Sequence, residues 1–336
     1  MMERNKILVT LNLKYGEAKS YLARYVAIVL LIIIATILAP GFITMQNIVN
    51  LLRNISFLGI ISIGMTFVIL TAGIDLSVAS ILALCGVITA LMQHWGIYLG
   101  YTGQLSFIYP IPFIFITVLL IGSLIGFING LIITKLKVAD FAVTLGMMIF
   151  ARGLAFAISG GRTIFGVDNI TQFMGRGMVF GIPFITVIWV LLIFISTFIL
   201  KYTIFGKYLY ASGENPKAAY ISGIDPEYYK IIAYTISGLL AALVGICMVG
   251  RLNVGEPRVA QGWELDAIAA VVIGGTSFSG GEGGVLKTII GVIIIALIRN
   301  ILSLLGIMPA PQQMIMGLVL LMAVILQSIS KGRKGV

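Results

Sequence analysis

The chain has 336 residues, of which 60% are hydrophobic and only 10% charged, with a mean hydropathy of +1.11. A soluble domain is nearer about half apolar and about a quarter charged, so this composition excludes a soluble globular protein and specifies an all-α, polytopic membrane protein. The net charge of +10 is spread over the N-terminal tail, short loops and the C-terminus, the placement of cytoplasmic anchors and not of a nucleic-acid surface.

A spanning helix needs about 20 mostly apolar residues. Residues 1–24 form a polar tail, too polar for a signal peptide, and residues 25–330 read as a single transmembrane domain before a basic tail, 331–336. The first span is Tyr25 to Ala39, stopped by Pro40-Gly41. Ile43 to Asn54 is amphipathic and reads as an interfacial helix before the second span, Ile55 to Thr71. Ala72 to Asp75 breaks the pattern, and a third span follows, Leu76 to Met92. Gln93 to Pro112 carries Tyr and Trp residues suited to an outer interface. The fourth and fifth spans are Phe113 to Thr134 and Phe141 to Ile158, separated by Lys135-Leu136-Lys137. The sixth is Ile182 to Leu200 and the seventh Ile231 to Gly250. Trp263 to Gly275 is apolar but too short to cross fully. Thr276 to Gly284 is glycine-rich, and the last spans are Val285 to Leu305 and Gln312 to Ser328.

Counting the short helix gives about ten spans with both termini on the cytoplasmic side. The inside segments then hold Arg4, Lys6, Lys14, Lys19, Arg24, Lys135, Lys137, the lysines of the 201–230 loop and the C-terminal cluster. The outside segments hold Arg162, Arg176, Arg251 and Arg258, which satisfies the positive-inside rule.

The longest polar break is Lys201 to Lys230. It carries Lys201, Lys207, Lys217 and Lys230 and a short helical run from Pro216 to Ser222. Asn215 suits the N-cap, Pro216 the first helical position and Gly223 the left-handed stop. A plain connector needs neither this length nor a capped helix, so the segment reads as a docking helix on the positive side of the membrane.

Acids at membrane depth are costly, which singles out Asp75 at the second break and Glu264 and Asp266 in the first turn of the short helix. Asp75 suits an N-cap of the third span, with a pathway role as the alternative. Glu264 and Asp266 suit the positive end of a helix dipole. Arg152 and Arg299 either snorkel or pair with one of these acids, and spacing does not choose the partner. The stretches Val68 to Ser77 and Val271 to Ser279 echo each other: an apolar helix, a break of small and polar residues, then another apolar helix. Gly73, Asp75, Ser77, Gly274, Gly275, Thr276 and Ser277 are therefore candidates for a polar translocation path, or else for tight helix packing.

Cys85 and Cys247 lie in apolar runs and read as buried hydrophobes, and His94 is the one histidine, so no metal site is expected. The nearest approach to a phosphate-binding loop, Gly280-Gly281-Glu282-Gly283-Gly284-Val285-Leu286-Lys287-Thr288, has no glycine before its lysine and leads into an apolar span. It is a turn. No nucleophile–base set is visible, so the chain is not expected to be an enzyme, and any ATP would be hydrolysed elsewhere.

Three separated motifs carry a family resemblance. Thr71-Ala72-Gly73-Ile74-Asp75-Leu76-Ser77-Val78 resembles the GGIDLSVG motif of ribose-type monosaccharide ABC importer permeases. Phe205-Gly206-Lys207-Tyr208, with Gly213-Glu214-Asn215-Pro216-Lys217-Ala218-Ala219 and Ser222-Gly223-Ile224, resembles their cytoplasmic loop. Glu264 to Ser277 resembles their ELDAIAAVVIGGTS signature. The likeness runs from about Asn47 to Gln327. It implies a multi-pass protein of the bacterial inner membrane, working as a homodimer or with a paralogue and surrounded by lipid. It implies a separate cytoplasmic subunit that binds ATP and magnesium, and a periplasmic or lipid-anchored sugar-binding protein. The coupling contact would comprise Gly213, Glu214, Asn215, Pro216, Lys217, Ala218, Ala219, Ser222 and Gly223. Ala72 and Glu214 depart from the glycines the family often has there. On this reading Gly223 made bulky, or Ala219→Arg, abolishes ATP-linked uptake while the protein stays in the membrane. An ion-coupled secondary transporter is the competing class, with Asp75, Glu264 or Asp266 as its titrating group; a membrane enzyme is a third.

Overall fold

The computed structural model describes residues 22, 24–98 and 109–332. The expectations for the polar N-terminal tail, most of the aromatic segment after the third span, the His94 side chain and the basic C-terminal tail lie outside the described residues or side chains. Most of the described residues are helical. Its helices are α1 (Arg24–Leu38), α2 (Met45–Leu70), α3 (Val78–Tyr98), α4 (Ile111–Lys135), α5 (Asp140–Ser159), α6 (Asn169–Arg176), α7 (Phe184–Tyr202), α8 (Ile204–Glu214), α9 (Pro216–Ile221), α10 (Pro226–Leu252), α11 (Trp263–Gly274), α12 (Val285–Leu304) and α13 (Pro309–Gly332). Among the described residues, α2, α4, α5, α7, α10 and α12 are long and apolar enough to cross a membrane. Two antiparallel ladders interrupt the helices: β1 (Ile164–Phe165) with β4 (Val254–Gly255), and β2 (Met178–Val179) with β3 (Ile182–Pro183).

α2 is the central element and packs on α7, α10, α11 and α12. Every residue from Ile55 to Leu70 is buried. The sequence pattern predicts an interfacial helix and then a separate span, but one helix runs through both. Neither Gly nor Pro stands between Met45 and Leu58 to stop it, and Thr44 caps its start by accepting from the Asn47 N–H. A buried pair of amide hydrogen bonds, Asn47 with Asn300, fixes this first turn to α12.

α4 lies on α10 through a stripe of glycines at four-residue spacing, Gly122, Gly126 and Gly130. A methyl group on Gly126 would overlap the Tyr234 carbonyl, and one on Gly238 the Gly122 carbonyl. Close backbone approach between these two helices therefore requires glycine. Cys85 and Cys247 are buried and unbonded to each other, as their apolar setting predicts.

Two ends of the bundle differ in charge. Lys135, Lys137, Lys201, Lys207, Lys217, Lys230 and Lys287 gather at the end holding α8 and α9. Arg53, Arg162, Arg176, Arg251 and Arg258 gather at the other, where Arg53 donates to the Arg176 carbonyl and Arg251 to Asn54. The expectation of only four arginines at the second end omitted Arg53, because its segment was read as lying in the interface. The asymmetry is correspondingly narrower.

Candidate functional site

The polar segment after α7 folds as two helices where the sequence predicts one. Thr203 caps α8, accepting from the Gly206 N–H at 3.3 Å. Asn215 then caps α9, accepting from the Ala218 N–H at 3.0 Å. Pro216 occupies the first turn. Gly223 ends the turn at φ +83°, letting the Ile224 N–H reach the Ala219 carbonyl at 3.0 Å. The predicted cap, start and stop residues thus all take those places.

α9 is oriented by one small residue. Ala219 is 5% exposed and faces the bundle, whereas Tyr220 and Ile221 are 72% and 85% exposed. Glu214, Asn215, Pro216, Lys217, Ala218, Ser222 and Gly223 are also exposed, and Gly213 is buried. The motif reading omitted Tyr220 and Ile221, the apolar pair at the tip. A six-residue helix is too short for its periodicity to announce which face points out. Because Ala219 points inward, Ala219→Arg disturbs packing and does not probe the exposed face.

The glycine-rich segment 276–284 sits against α8 and the end of α2. The Gly281 N–H donates to the Leu70 carbonyl at 3.0 Å. The Tyr210 hydroxyl, whose pKa burial pushes up from its ordinary value, donates to the Gly283 carbonyl at 3.0 Å. A methyl group on Gly213 would overlap the Leu70 carbonyl, and Gly280 is wedged between Gly213 and Ala72. Ser277 closes the turn, its N–H donating to the Glu282 carbonyl at 2.9 Å. The two helix breaks that echo each other in sequence therefore meet in space, beside the docking segment. Thr276 and Ser277 belong to this cluster through Gly283 and Glu282, whereas Gly73 faces Tyr234 and Asp140, Gly274 packs on Lys287 and Thr288 of α12, and Gly275 lies against Arg24.

Asp75 is not the N-cap of α3. Ser77 holds that place, its carbonyl accepting the Ile81 N–H. Asp75 is fully buried and organises a polar network instead. Its Oδ1 accepts from the Ser77 N–H at 2.9 Å and hydroxyl at 2.6 Å. Its Oδ2 accepts from the Ser237 hydroxyl of α10 at 2.8 Å. The Asn129 amide of α4 donates to Ser77 Oγ at 2.9 Å. The carboxylate thus joins the start of α3 to α10 directly and reaches α4 through Ser77, and Asp75 and Ser77 are enclosed in the chain.

Glu264 and Asp266 lie elsewhere. They start α11 (Trp263–Gly274), about 12–15 Å along the helix from Gly274. Asp266 pairs with Arg299 of α12 at 2.5 Å, which supplies the partner that spacing alone leaves open. Arg152 instead donates to the Pro257 and Val259 carbonyls at 2.8 Å each. The predicted path residues therefore split into a cluster at the docking end and a cluster at the start of α11. Sequence reasoning also missed Asn129, Asp140, Tyr234 and Ser237, which hold the 71–77 break. Each is an isolated polar residue in an apolar run, a signal that helix period alone does not raise. Among the described residues no group of three or more His, Cys, Asp or Glu side chains is placed to hold a metal.

A family model described as branched-chain amino acid transport system / permease component matches residues 47–324. The chain is 41% identical to the ribose import permease protein of Haemophilus influenzae, over 94% of this chain and 95% of the relative. It is 43% identical to the ribose import permease protein of Bacillus subtilis, over 91% and 92%. It is 34% identical to the fructose import permease protein of Rhizobium meliloti, over 89% and 82%. No solved structure matches it.

Proposed function

The chain belongs to this family of transport-system permease components, and from that premise we infer that it is the membrane-spanning subunit of an ATP-driven importer for a monosaccharide. One observation carries the sugar class. The family's description names amino acids, but relatives similar along nearly the whole chain are named for ribose and fructose import.

In this reading residues 25–330 form one permease domain of about ten spans in the bacterial inner membrane, both termini and the α8–α9 segment facing the cytoplasm. The lysine-rich end fits that orientation. A separate ATPase subunit holds ATP and magnesium and receives α9, with Tyr220 and Ile221 filling an apolar pocket on it. A periplasmic or lipid-anchored binding protein delivers sugar to the arginine-rich end. A second permease copy or paralogue completes the path, and sugar crosses between the two without chemical change. Leu70 and the glycine-rich turn at Gly281 and Gly283 form a seat for α8, so that movement of the docking segment reaches the end of α2 directly and the end of α11 through that turn. The ion-coupled alternative has weaker support, because the similar relatives are named as sugar import permeases; of its three candidate groups, Asp75 is engaged by serines and Asp266 by Arg299, and Glu264 keeps a buried oxygen without a hydrogen-bond partner.

The test is purification of tagged protein in mild detergent from its native membranes, then uptake by proteoliposomes. Recovery of a Walker-motif ATPase and ATP-dependent sugar uptake is expected. Recovery of the permease alone, with uptake driven by an ion gradient, would overturn the reading.

A further inference from the structure

We propose that the ion pair between Lys230 and Asp140 is the link through which the docking helix moves α5, making both positioning residues for coupled transport; this rests on the reading of α9 as the ATPase contact. After Gly223 the chain needs only Ile224 and Asp225 to begin α10, with Asp225 as its cap. The first turns of α10 present Glu227 and Lys230, three residues apart and so on one face. That face meets the corner between α4 and α5. Glu227 pairs with Lys135, the last residue of α4, at 2.7 Å. Lys230 pairs with Asp140, the first residue of α5, at 2.6 Å.

The two pairs are not equivalent. The Lys135–Glu227 side chains are 55% and 41% exposed, where solvent screening leaves an ion pair little effect. The Lys230–Asp140 side chains are 21% and 18% exposed, and the pair has further partners. The Tyr234 hydroxyl lies 3.1 Å from Asp140 Oδ2 and 3.0 Å from the Ile74 carbonyl oxygen, sharing its proton between them. The Thr144 hydroxyl, one turn into α5, reaches the same Ile74 carbonyl at 3.3 Å. Asp140 is thus the point where α5, α10 and the 71–77 break join.

α5 is also a helix that burial holds only in part. Of its twenty residues only Thr144, Ala151 and Ala155 are buried, and Gly146 and Gly153 face open space. Its apolar packing is confined to one face, where Ala151 and Ala155 meet Leu84 and Val87 of α3, and two polar pins add to it, one at its start and one in its second half. One is Asp140. The other is Arg152, held by the Pro257 and Val259 carbonyls. A displacement of α9 passes through the short turn to the first turns of α10, and Lys230 hands it to α5 with no intervening group.

The experiment uses the full complex in lipid nanodiscs, with a bimane fluorophore on Ile149→Cys, an exposed position on α5. Cys85 and Cys247 are buried and stay unlabelled. The readout is the emission change on adding magnesium, ATP and vanadate. Lys230→Met and Asp140→Asn are expected to keep the ATPase bound while reducing that change about fivefold or more. The charge swap Asp140→Lys/Lys230→Asp restores it, and Lys135→Met retains it. A full change in either single variant, no change in the unsubstituted complex, or a swap that fails to restore would each overturn the link while leaving the importer reading intact. Failure to recover any ATPase with the unsubstituted chain would overturn the importer reading itself.

Discussion

Ala72 and Gly275 end α2 and α11 in the same left-handed conformation, at φ +55° and +100°. In each case the next N–H reaches back five residues, Gly73 to the Val68 carbonyl at 3.0 Å and Thr276 to the Val271 carbonyl at 3.2 Å. Two helix ends thus carry the same stop, and the first of them lies against Gly280 of the glycine-rich turn. Only one of them carries the residue the conformation favours. A left-handed alanine costs about 1 kcal/mol or more relative to glycine, partly offset by the smaller chain entropy that alanine loses on folding. Ala72→Gly is therefore expected to stabilise the protein by about 0.5–1 kcal/mol. Gly275→Ala should destabilise it, because φ +100° is a conformation that a residue with a Cβ rarely adopts, and the Arg24 guanidinium would also have to move aside. Thermal unfolding in detergent checks both, and a lower melting temperature for Ala72→Gly would contradict the account.

The α8 contact is set by backbone against backbone. Gly213→Ala pushes a methyl group onto the Leu70 carbonyl, and neither side is a flexible side chain that can move away. Overpacking of this kind costs about 1–3 kcal/mol. The expected result is a lower melting temperature with faster proteolysis of the 201–230 segment; unchanged protection of that segment would show that α8 is not seated as described.

Tyr220 and Ile221 project from α9 with little support from the rest of the chain. Tyr220→Ala and Ile221→Asp should each change stability by no more than about 0.5 kcal/mol. Each should nevertheless reduce ATPase recovery and ATP-dependent uptake about tenfold or more, as removal of an apolar anchor does at an interface. Ala219→Arg should do the reverse in order, lowering stability first, because Ala219 faces inward. Normal ATPase recovery from both surface variants would remove α9 from the contact.

The Asp266–Arg299 pair joins α11 to α12 in the interior. Removing one partner leaves an uncompensated buried charge, at a cost of about 3–5 kcal/mol. Arg299→Met is expected to lower the amount of folded protein in the membrane sharply, and Asp266→Leu/Arg299→Met to recover much of it. A double variant no better than the single would show that the arginine acts through packing alone.

The short-range code was legible wherever one residue type answers one local need. Asn215, Pro216 and Gly223 announced the start and stop of α9, because an orphan N–H, a fixed φ and a left-handed φ each favour a particular side chain. The same Asx-Pro signature at Asp225-Pro226 passed unread, so α10 begins five residues earlier than the apolar run alone predicts. The α2 boundary failed for the opposite reason: a change from amphipathic to uniformly apolar residues marks a change of surroundings and leaves the backbone ladder intact.

Composition and hydropathy by themselves determined that this is a multi-pass α-helical membrane protein, since 60% hydrophobic residues in runs of membrane length have no soluble solution. The motifs determined the transporter family, because they are local strings that survive without knowledge of their neighbours. Only the tertiary structure decided which charges meet. Asp140 with Lys230, Asp266 with Arg299, and Asp75 with Ser237 are separated by 90, 33 and 162 residues, and periodicity along a single helix holds no information about which face of another will lie against it. It also decided that the two echoing breaks touch, because that contact depends on glycine backbones at Gly213, Gly280 and Gly281 approaching Leu70 and Ala72, a packing relation that emerges only when the helices are assembled.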